Sequence, residues 1–273
     1  MACIVCRGET ARTSALRRDL VECVDCGLVY APTATEDRAE FGAHYYVEGV
    51  YADYVQDRDA IHRSAATRLR ILERAVTGRR LLDVGCAGGY FLEAARTRGW
   101  SVAGLELSAY AVQLARGLAL EIFEASILAP PSLPEFDAIT MWDTIEHILR
   151  PDTALENARR LLRPGGVLAI STGDRRSFVA RALGRRWRLM NDPTHKFFFD
   201  EPTLSSLLAA AGFTVVSVSR PGKWVSAAMI LHQLSSGPAT LARRALSARG
   251  WNPALYVNLG DVMTLVATPT GAR

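Results

Sequence analysis

The sequence predicts an α/β fold in which a doubly wound parallel sheet carries a small metal-binding knob near its N-terminal end. Three observations predict it. Strand-type and helix-type segments alternate between residues 80 and 172, a glycine-rich turn follows the first of those strands, and two C-x-x-C pairs stand within the first 26 residues. At 273 residues, 49% hydrophobic and 22% charged, the chain is long enough for one large core with additions. It is too rich in apolar residues to be disordered.

The pairs Cys3-x-x-Cys6 and Cys23-x-x-Cys26 come first in the chain. Each turn presents two thiolates on one side of a knuckle, with Gly8 and Gly27 where a positive φ is needed, so the four sulfurs suit one tetrahedral ion. Zn2+ is the natural occupant. Such a closed site leaves no open coordination position, and its expected work is to fold a segment that lacks a core of its own. Disulfides and an iron–sulfur cluster are the competing readings; the knuckle spacing and an expected reducing compartment argue against the first, and a colourless protein would argue against the second. A cytoplasmic location is expected because Cys3, Cys6 and Arg7 interrupt any leader-type apolar run, and no transmembrane segment is expected because the uncharged stretch 224–242 holds His232, Gln233, Gly237 and Pro238.

From Asp57 to Val76 apolar residues at helical spacing (Ile61, Ala65, Leu69, Leu72, Val76) predict an amphipathic helix stopped by Gly78. Residues 80–84 then read as a buried strand, 85–89 as the glycine turn and 90–98 as a helix closed by Gly99. The alternation continues with a strand at 101–106, a helix at 108–116 and a short strand at 121–124. After the Pro-rich loop 130–134 come a strand at 136–141, a helix at 152–162, the Pro164-Gly165-Gly166 turn and a strand at 166–172. In such a sheet the ligand sits beyond the carboxyl ends of the strands. Asp83 closes the first strand and Glu106 the second, so two acidic strand ends flank one cleft. Glu106 is placed to accept both ribose hydroxyls of a nucleoside, through charge-assisted bonds worth roughly 1.5–3 kcal/mol each. The turn lacks G-x-G-x-x-G order, which disfavours a dinucleotide.

The net charge of +4 comes almost wholly from arginine, since Lys196 and Lys223 are the only lysines. No nucleic-acid partner is expected: residues 7–22 mix Arg12, Arg17 and Arg18 with Glu9, Asp19 and Glu22 and hold no aromatic.

Four ordered stretches carry a resemblance: Leu81 to Gly89, Gly104 to Ser108, Phe136 to His147 and Leu162 to Leu168. Together they resemble class I S-adenosylmethionine-dependent methyltransferases over about residues 58–220, and the cysteine knob, Tyr45-Tyr46 and the segment Trp187 to Phe199 resemble a subgroup often associated with methylating sugars, polysaccharides or other metabolites. The resemblance implies a Rossmann-like seven-stranded sheet whose last strand is antiparallel, which residues 261–267 suit. It also implies an organisation of zinc-binding knob (1–35), lid and linking helix (36–78), cofactor-binding core (79–220), and helical insertion with the final strand (221–273). By position, Gly85 and Gly89, with Cys86 between them, would let the backbone approach the methionine part of S-adenosylmethionine, and Asp83 would lie near its amino group. Glu106 would hold the ribose, Leu107 would cover the adenine, Ser126 would lie at its other edge, and Met141 and Trp142 would pass beside the sulfonium. Ala87 departs from the glycine that many members carry.

A hydroxyl acceptor must lose a proton, which asks for a base, and histidine is the obvious one. His147, at the carboxyl edge of the fourth strand with Asp143 or Glu146 to orient it, is the first candidate; His195, after the Asp192-Pro193 turn, is the second. Loop packing is the competing role for both. Arg175, Arg176, Arg181, Arg185, Arg186 and Arg188 read either as an anion-binding wall for a phosphorylated or nucleotide-linked acceptor or as a solvated helix face. Tyr45, Tyr46, Tyr51 and Tyr54 suggest a lid, and 224–246 added helices that shape acceptor specificity or a homodimer contact. The function expected is O-methylation of a small molecule or glycan. The alternatives are C- or N-methylation of a metabolite, and an RNA or protein methyltransferase whose knob recognises the macromolecule.

Overall fold

The knob is built from three short antiparallel strands, β1 (Ala11–Thr13), β2 (Val21–Cys23) and β3 (Val29–Tyr30), with the cysteine pairs before β1 and at the turn between β2 and β3. The computed structural model describes residues 2–35, 38–47, 54–234 and 252–271; Tyr51 of the expected lid and residues 235–251 of the expected insertion lie outside them. A short helix α1 (Ala43–Val47) and the long α2 (Arg58–Ala75) lead into the main sheet. α2 buries Ala65, Leu69 and Leu72 of the stripe that its periodicity predicts, together with Ala60, while Ile61 and Val76 are half-buried. It ends at Ala75, three residues before Gly78, whose missing Cβ makes room for the Asp137 carboxylate.

The core follows as β4 (Arg80–Val84), α3 (Tyr90–Thr97), β5 (Ser101–Glu106), α4 (Ala109–Gly117), β6 (Glu121–Glu124), β7 (Phe136–Trp142), α5 (Pro151–Leu161) and β8 (Leu162–Gly173). β8 is longer than its glycine pattern predicts, because residues on both sides of the Pro164-Gly165-Gly166 irregularity pair with β7, Leu162 with Phe136 and Val167 with Ala138. Then come α6 (Phe178–Leu183), β9 (Phe197–Phe198), α7 (Glu201–Ala210), β10 (Phe213–Ser219), β11 (Lys223–Ser226), α8 (Ala227–Leu234), β12 (Ala254–Val257) and β13 (Val262–Pro269). The segment expected to be helical therefore opens with a strand: Trp224 lies on β11, which pairs antiparallel with β12, and the helix starts only at Ala227.

The main sheet has seven strands in the order β10-β13-β8-β7-β4-β5-β6, all parallel except β13, which runs antiparallel to both neighbours. The order reverses between β4 and β7, so the cleft opens beyond the ends of β4, β5 and β7. One face of the sheet packs on α2, α3 and α4 through Leu69, Leu72, Phe91, Leu92 and Val112; the other packs on α5 and α7 through Leu155, Leu204 and Leu208. Cys3, Val5, Cys23 and Leu28 join that second cluster, and β9 is the fourth strand of the knob's sheet, paired antiparallel with β3. The knob thus shares both a sheet and a core with the main body. No helix among the described residues is long and apolar enough to cross a membrane.

Candidate active site

The carboxyl ends of β4, β5 and β7 open into a cavity of about 880 Å³. Asp83, Gly85, Cys86, Glu106, Leu107, Ser126 and Trp142 all line it. Gly85 has φ +70°, and a Cβ there would stand 2.7 Å from the Thr144 side chain, so both backbone and space require glycine. Gly85→Ala is expected to destabilise the fold by at least about 1–2 kcal/mol and to weaken cofactor binding, checked by thermal unfolding with and without S-adenosylhomocysteine.

The Glu106 carboxylate is held in one orientation by the backbone: its Oε1 accepts from the N–H groups of Leu107 and Ser108, and its Oε2 from that of Ala87, all at 2.8 Å. Ala87 reaches it by adopting φ +48°, where a residue with a Cβ is strained. Burial raises the Glu106 pKa against the pull of those three donors. Asp83 accepts from Thr140 Oγ1 at 2.6 Å, and burial raises its pKa to about 7. The sign follows. A carboxyl group raised in the folded state contributes stability that is present at low pH and lost as pH rises through about 7, whereas a cation placed beside it is held only above that pH. The affinity for S-adenosylhomocysteine, whose amino group is cationic, is therefore expected to rise between pH 6 and 8, roughly tenfold per pH unit at the steepest. Calorimetric titration across that range checks it, and an Asp83→Asn variant should flatten the dependence.

Two residues expected at the cofactor lie elsewhere. Gly89, φ +81°, starts α3, and a Cβ on it would meet Ala115 at 2.9 Å and Leu120 at 2.6 Å; it permits α3 to pack on α4 and does not line the cavity. Met141 is fully buried on the α5 and α7 side, because successive strand residues face opposite ways and Trp142 takes the cavity side. Trp142 packs edge-on against Phe91 at 5.5 Å, and the Arg68 guanidinium lies 4.7 Å from its ring centre.

Beyond β7 the chain turns at Asp143, φ +52°, into a short 3-10 turn carrying Glu146 and His147. His147 and His195 face each other with ring centres 4.7 Å apart, and both line the cavity. The Nδ1 of His147 lies 3.2 Å from the Thr194 carbonyl and 3.0 Å from Thr194 Oγ1, whose own hydroxyl donates to Asp192 at 2.6 Å. With that hydroxyl proton committed, Nδ1 is assigned as the donor, which leaves the Nε2 lone pair open. Burial, reinforced by His195, lowers the His147 pKa to about 4; burial also lowers that of His195, against Asp192 at 3.6 Å. Glu146 Oε2 is buried with no hydrogen-bond partner, and burial together with Asp143 raises that carboxyl to about 8. Ligand atoms of Glu146, His147 and His195 lie within 4.8 Å of one another, close enough to share a cation.

Long-range contacts bring further charge to this wall. Asp143 accepts from Ser171 at 3.0 Å and from Arg68 at 3.2 Å; burial works against its charge, but Lys223 and Arg68 outweigh it and hold the pKa below the usual carboxylate range. Of the six arginines expected to form an anion wall, only Arg188 lines the cavity, paired with Asp261 at 3.3 Å. Arg175 and Arg176 pair with Asp200, while Arg181, Arg185 and Arg186 lie on α6 and the turn after it, off the cavity wall. Tyr45, Tyr46 and Tyr54 are buried and do line the cavity, and the Tyr54 hydroxyl accepts from the Gly88 N–H at 3.1 Å.

In the knob, the Sγ atoms of Cys3 and Cys26, and those of Cys6 and Cys23, are 3.5 Å apart, and all four lie within 4.8 Å of one another. Zn–S bonds of about 2.3 Å in a tetrahedron place sulfurs about 3.8 Å apart, so these residues fit a zinc ion.

One reversed strand in a seven-stranded sheet, with acidic ends on its first two core strands beside a glycine turn, defines a class I S-adenosylmethionine-dependent methyltransferase fold. The chain belongs to the methyltransferase domain family, whose model matches residues 55–218. It is similar to the ubiquinone biosynthesis O-methyltransferase of Alkalilimnicola ehrlichii, at 38% identity over 122 residues that are 41% of this chain and 49% of that enzyme. The match thus spans about half of that relative's length. The enzyme of the same name from Psychrobacter arcticus is 27% identical over 190 residues, 64% of this chain and 74% of its own. A solved S-adenosylmethionine-dependent methyltransferase from Thermotoga maritima has the same fold, with a TM-score of 0.55 at 20% identity over 83% of this chain and 100% of that one.

Proposed function

We propose that this protein transfers the methyl group of S-adenosylmethionine to a hydroxyl oxygen of a small molecule. The observation that carries this reading is a single cavity with a nucleoside-type end, Asp83, Gly85 and Glu106, and a proton-accepting end, His147 with an open Nε2. The cofactor supplies an activated methyl group. Glu106 holds its ribose, Asp83 its amino group, and Leu107 and Ser126 bound its adenine. Trp142, with Cys86 behind the turn, closes the wall against water. His147 takes the hydroxyl proton at Nε2 as the oxygen is alkylated, and His195 keeps that ring in place; the remaining catalysis is positioning.

The relatives' role in ubiquinone biosynthesis, and a cavity walled by Trp224, Met229 and Ile230, favour an apolar or aromatic hydroxyl over a glycan. The four cysteines of the knob hold a structural Zn2+ in a cytoplasmic protein. The test is labelled-methyl transfer into fractionated cell extract, followed by isolation of the product. A methyl ether in the small-molecule fraction supports the reading. Label on nitrogen, carbon, RNA or protein refutes it.

A further inference from the structure

Both lysines of this arginine-rich chain stand in the wall of the same cavity. Lys196 is satisfied, its ammonium 2.8 Å from Glu40. Lys223, on β11, is different. Its side chain is 40% exposed, and it donates no hydrogen bond among the described residues. The Asp143 Oδ2 atom 4.0 Å from its ammonium already accepts from Arg68 at 3.2 Å. Beside it Arg188 faces Asp261, which also accepts from the Trp187 indole N–H at 2.9 Å. Three cations thus meet two carboxylates, each of which is shared. Asp143 draws the Lys223 pKa up, but partial burial and the neighbouring Arg188 and Arg68 outweigh it and hold the pKa below the usual lysine range, as expected where cations outnumber the carboxylates they share.

We propose that Lys223 and Arg188 form an anion subsite of the acceptor pocket, so that the acceptor is a small molecule carrying a carboxylate or a phosphate as well as its reacting hydroxyl. This rests on the methyltransferase reading above and names the acceptor class for that same site. The placement favours the acceptor over the cofactor's own carboxylate. Arg68, over Trp142 and within electrostatic reach of Asp83, is the cation on the cofactor side. Lys223 belongs to the added β11–β12 sheet and precedes Trp224, which lines the apolar part of the cavity with Met229 and Ile230. A charged anchor beside an apolar wall selects an amphipathic molecule and fixes its orientation, since a rigid apolar pocket alone cannot orient it.

The test is calorimetric titration of the protein, free and saturated with S-adenosylhomocysteine, with benzoate, phenyl phosphate and benzyl alcohol. The comparison is made for the wild type, Lys223→Met and Lys223→Arg. One charge-assisted contact is worth about tenfold or more, so the wild type should prefer at least one of the two anions to the alcohol by that factor. Whichever anion binds more tightly assigns carboxylate or phosphate. Lys223→Met should lose the preference and Lys223→Arg should keep it, both with unchanged affinity for S-adenosylhomocysteine, which also certifies their folding. Equal binding of all three probes, or a preference that survives Lys223→Met, overturns the proposal. A fall in S-adenosylhomocysteine affinity in Lys223→Met overturns it too, by giving the subsite to the cofactor. Failure of the wild type to bind S-adenosylhomocysteine sinks the methyltransferase reading separately, because the anion preference is read in the free protein as well.

Discussion

Replacing His147 by alanine is expected to lower the turnover number by about 10²- to 10⁴-fold while the affinity for S-adenosylhomocysteine stays within about twofold. The split between the two readouts is the informative part. His147 touches none of the groups that fix Glu106 or Asp83, so its removal leaves the nucleoside end intact and deletes only the Nε2 acceptor. The pH profile separates it from its neighbour. A base must be deprotonated to act, so the rate rises with pH through the pKa of the base and is flat above it. With His147 held down at about 4 by burial and His195, the acid limb is expected near pH 4, well below that of an ordinary histidine. An acid limb near pH 8 would instead give the role to Glu146, whose orphaned Oε2 shares the cavity. Unchanged turnover in His147→Ala would remove the histidine from the chemistry altogether.

What the sequence made legible follows chain proximity. The glycine turn and the acidic ends of β4 and β5 lie within 24 consecutive residues, 83–106, and their chemistry could be read from spacing alone. Side-chain direction was harder. Met141 and Trp142 are neighbours in one motif, yet the pleat sends one into the core and the other to the cavity, and Gly89 serves helix packing although it stands in the same glycine-rich run. The charges of the acceptor end were legible only in part, Asp143 and Arg188 from the sequence and Arg68 and Lys223 not. Arg68, Asp143 and Lys223 are separated by 75 and 80 residues and meet only because α2 and β11 pack together at the cleft. Six arginines between 175 and 188 read equally as an anion wall or a solvated helix face; folding turned two of them to Asp200 and three away from the cavity, leaving Arg188 on its wall with Lys223, which the spacing did not single out. Burial, which creates the raised carboxyl of Glu146, belongs to the tertiary structure and leaves no mark in a local pattern.

Stripping the knob of zinc, by a chelator or by Cys23→Ser with Cys26→Ser, is expected to abolish methyl transfer while S-adenosylhomocysteine still binds. Structural four-cysteine sites contribute roughly 10–16 kcal/mol to the folding of their segment, more than most domains have in reserve. Here that segment does not end at its own border. β3 pairs with β9, the Ala31 N–H donates to the Lys196 carbonyl at 2.9 Å, and the Lys196 N–H donates to the Glu146 carbonyl at 2.9 Å. A continuous ladder therefore runs from the four-cysteine loop through His195-Lys196 to Glu146-His147. Two side chains reinforce it: Arg17 donates to the Met190 carbonyl at 2.6 Å and Arg175 to the Gly27 carbonyl at 2.7 Å. Loss of a zinc ion from the four cysteines would release β3, and with it the backbone that sets the two histidine rings 4.7 Å apart. The cofactor end hangs on β4, β5 and the Ala87 turn, whose backbone hydrogen bonds are made to one another, to their sheet neighbours and to Glu106, and none of them to β3 or β9, so it should persist. Hydrogen exchange is expected to report faster opening at 196–199 and 145–148 in the zinc-free protein, with β4 and β5 still protected. One zinc per chain by elemental analysis, with turnover returning when the ion is restored to the chelated protein, would complete the case; full activity in a metal-free protein would reduce the knob to an appendage.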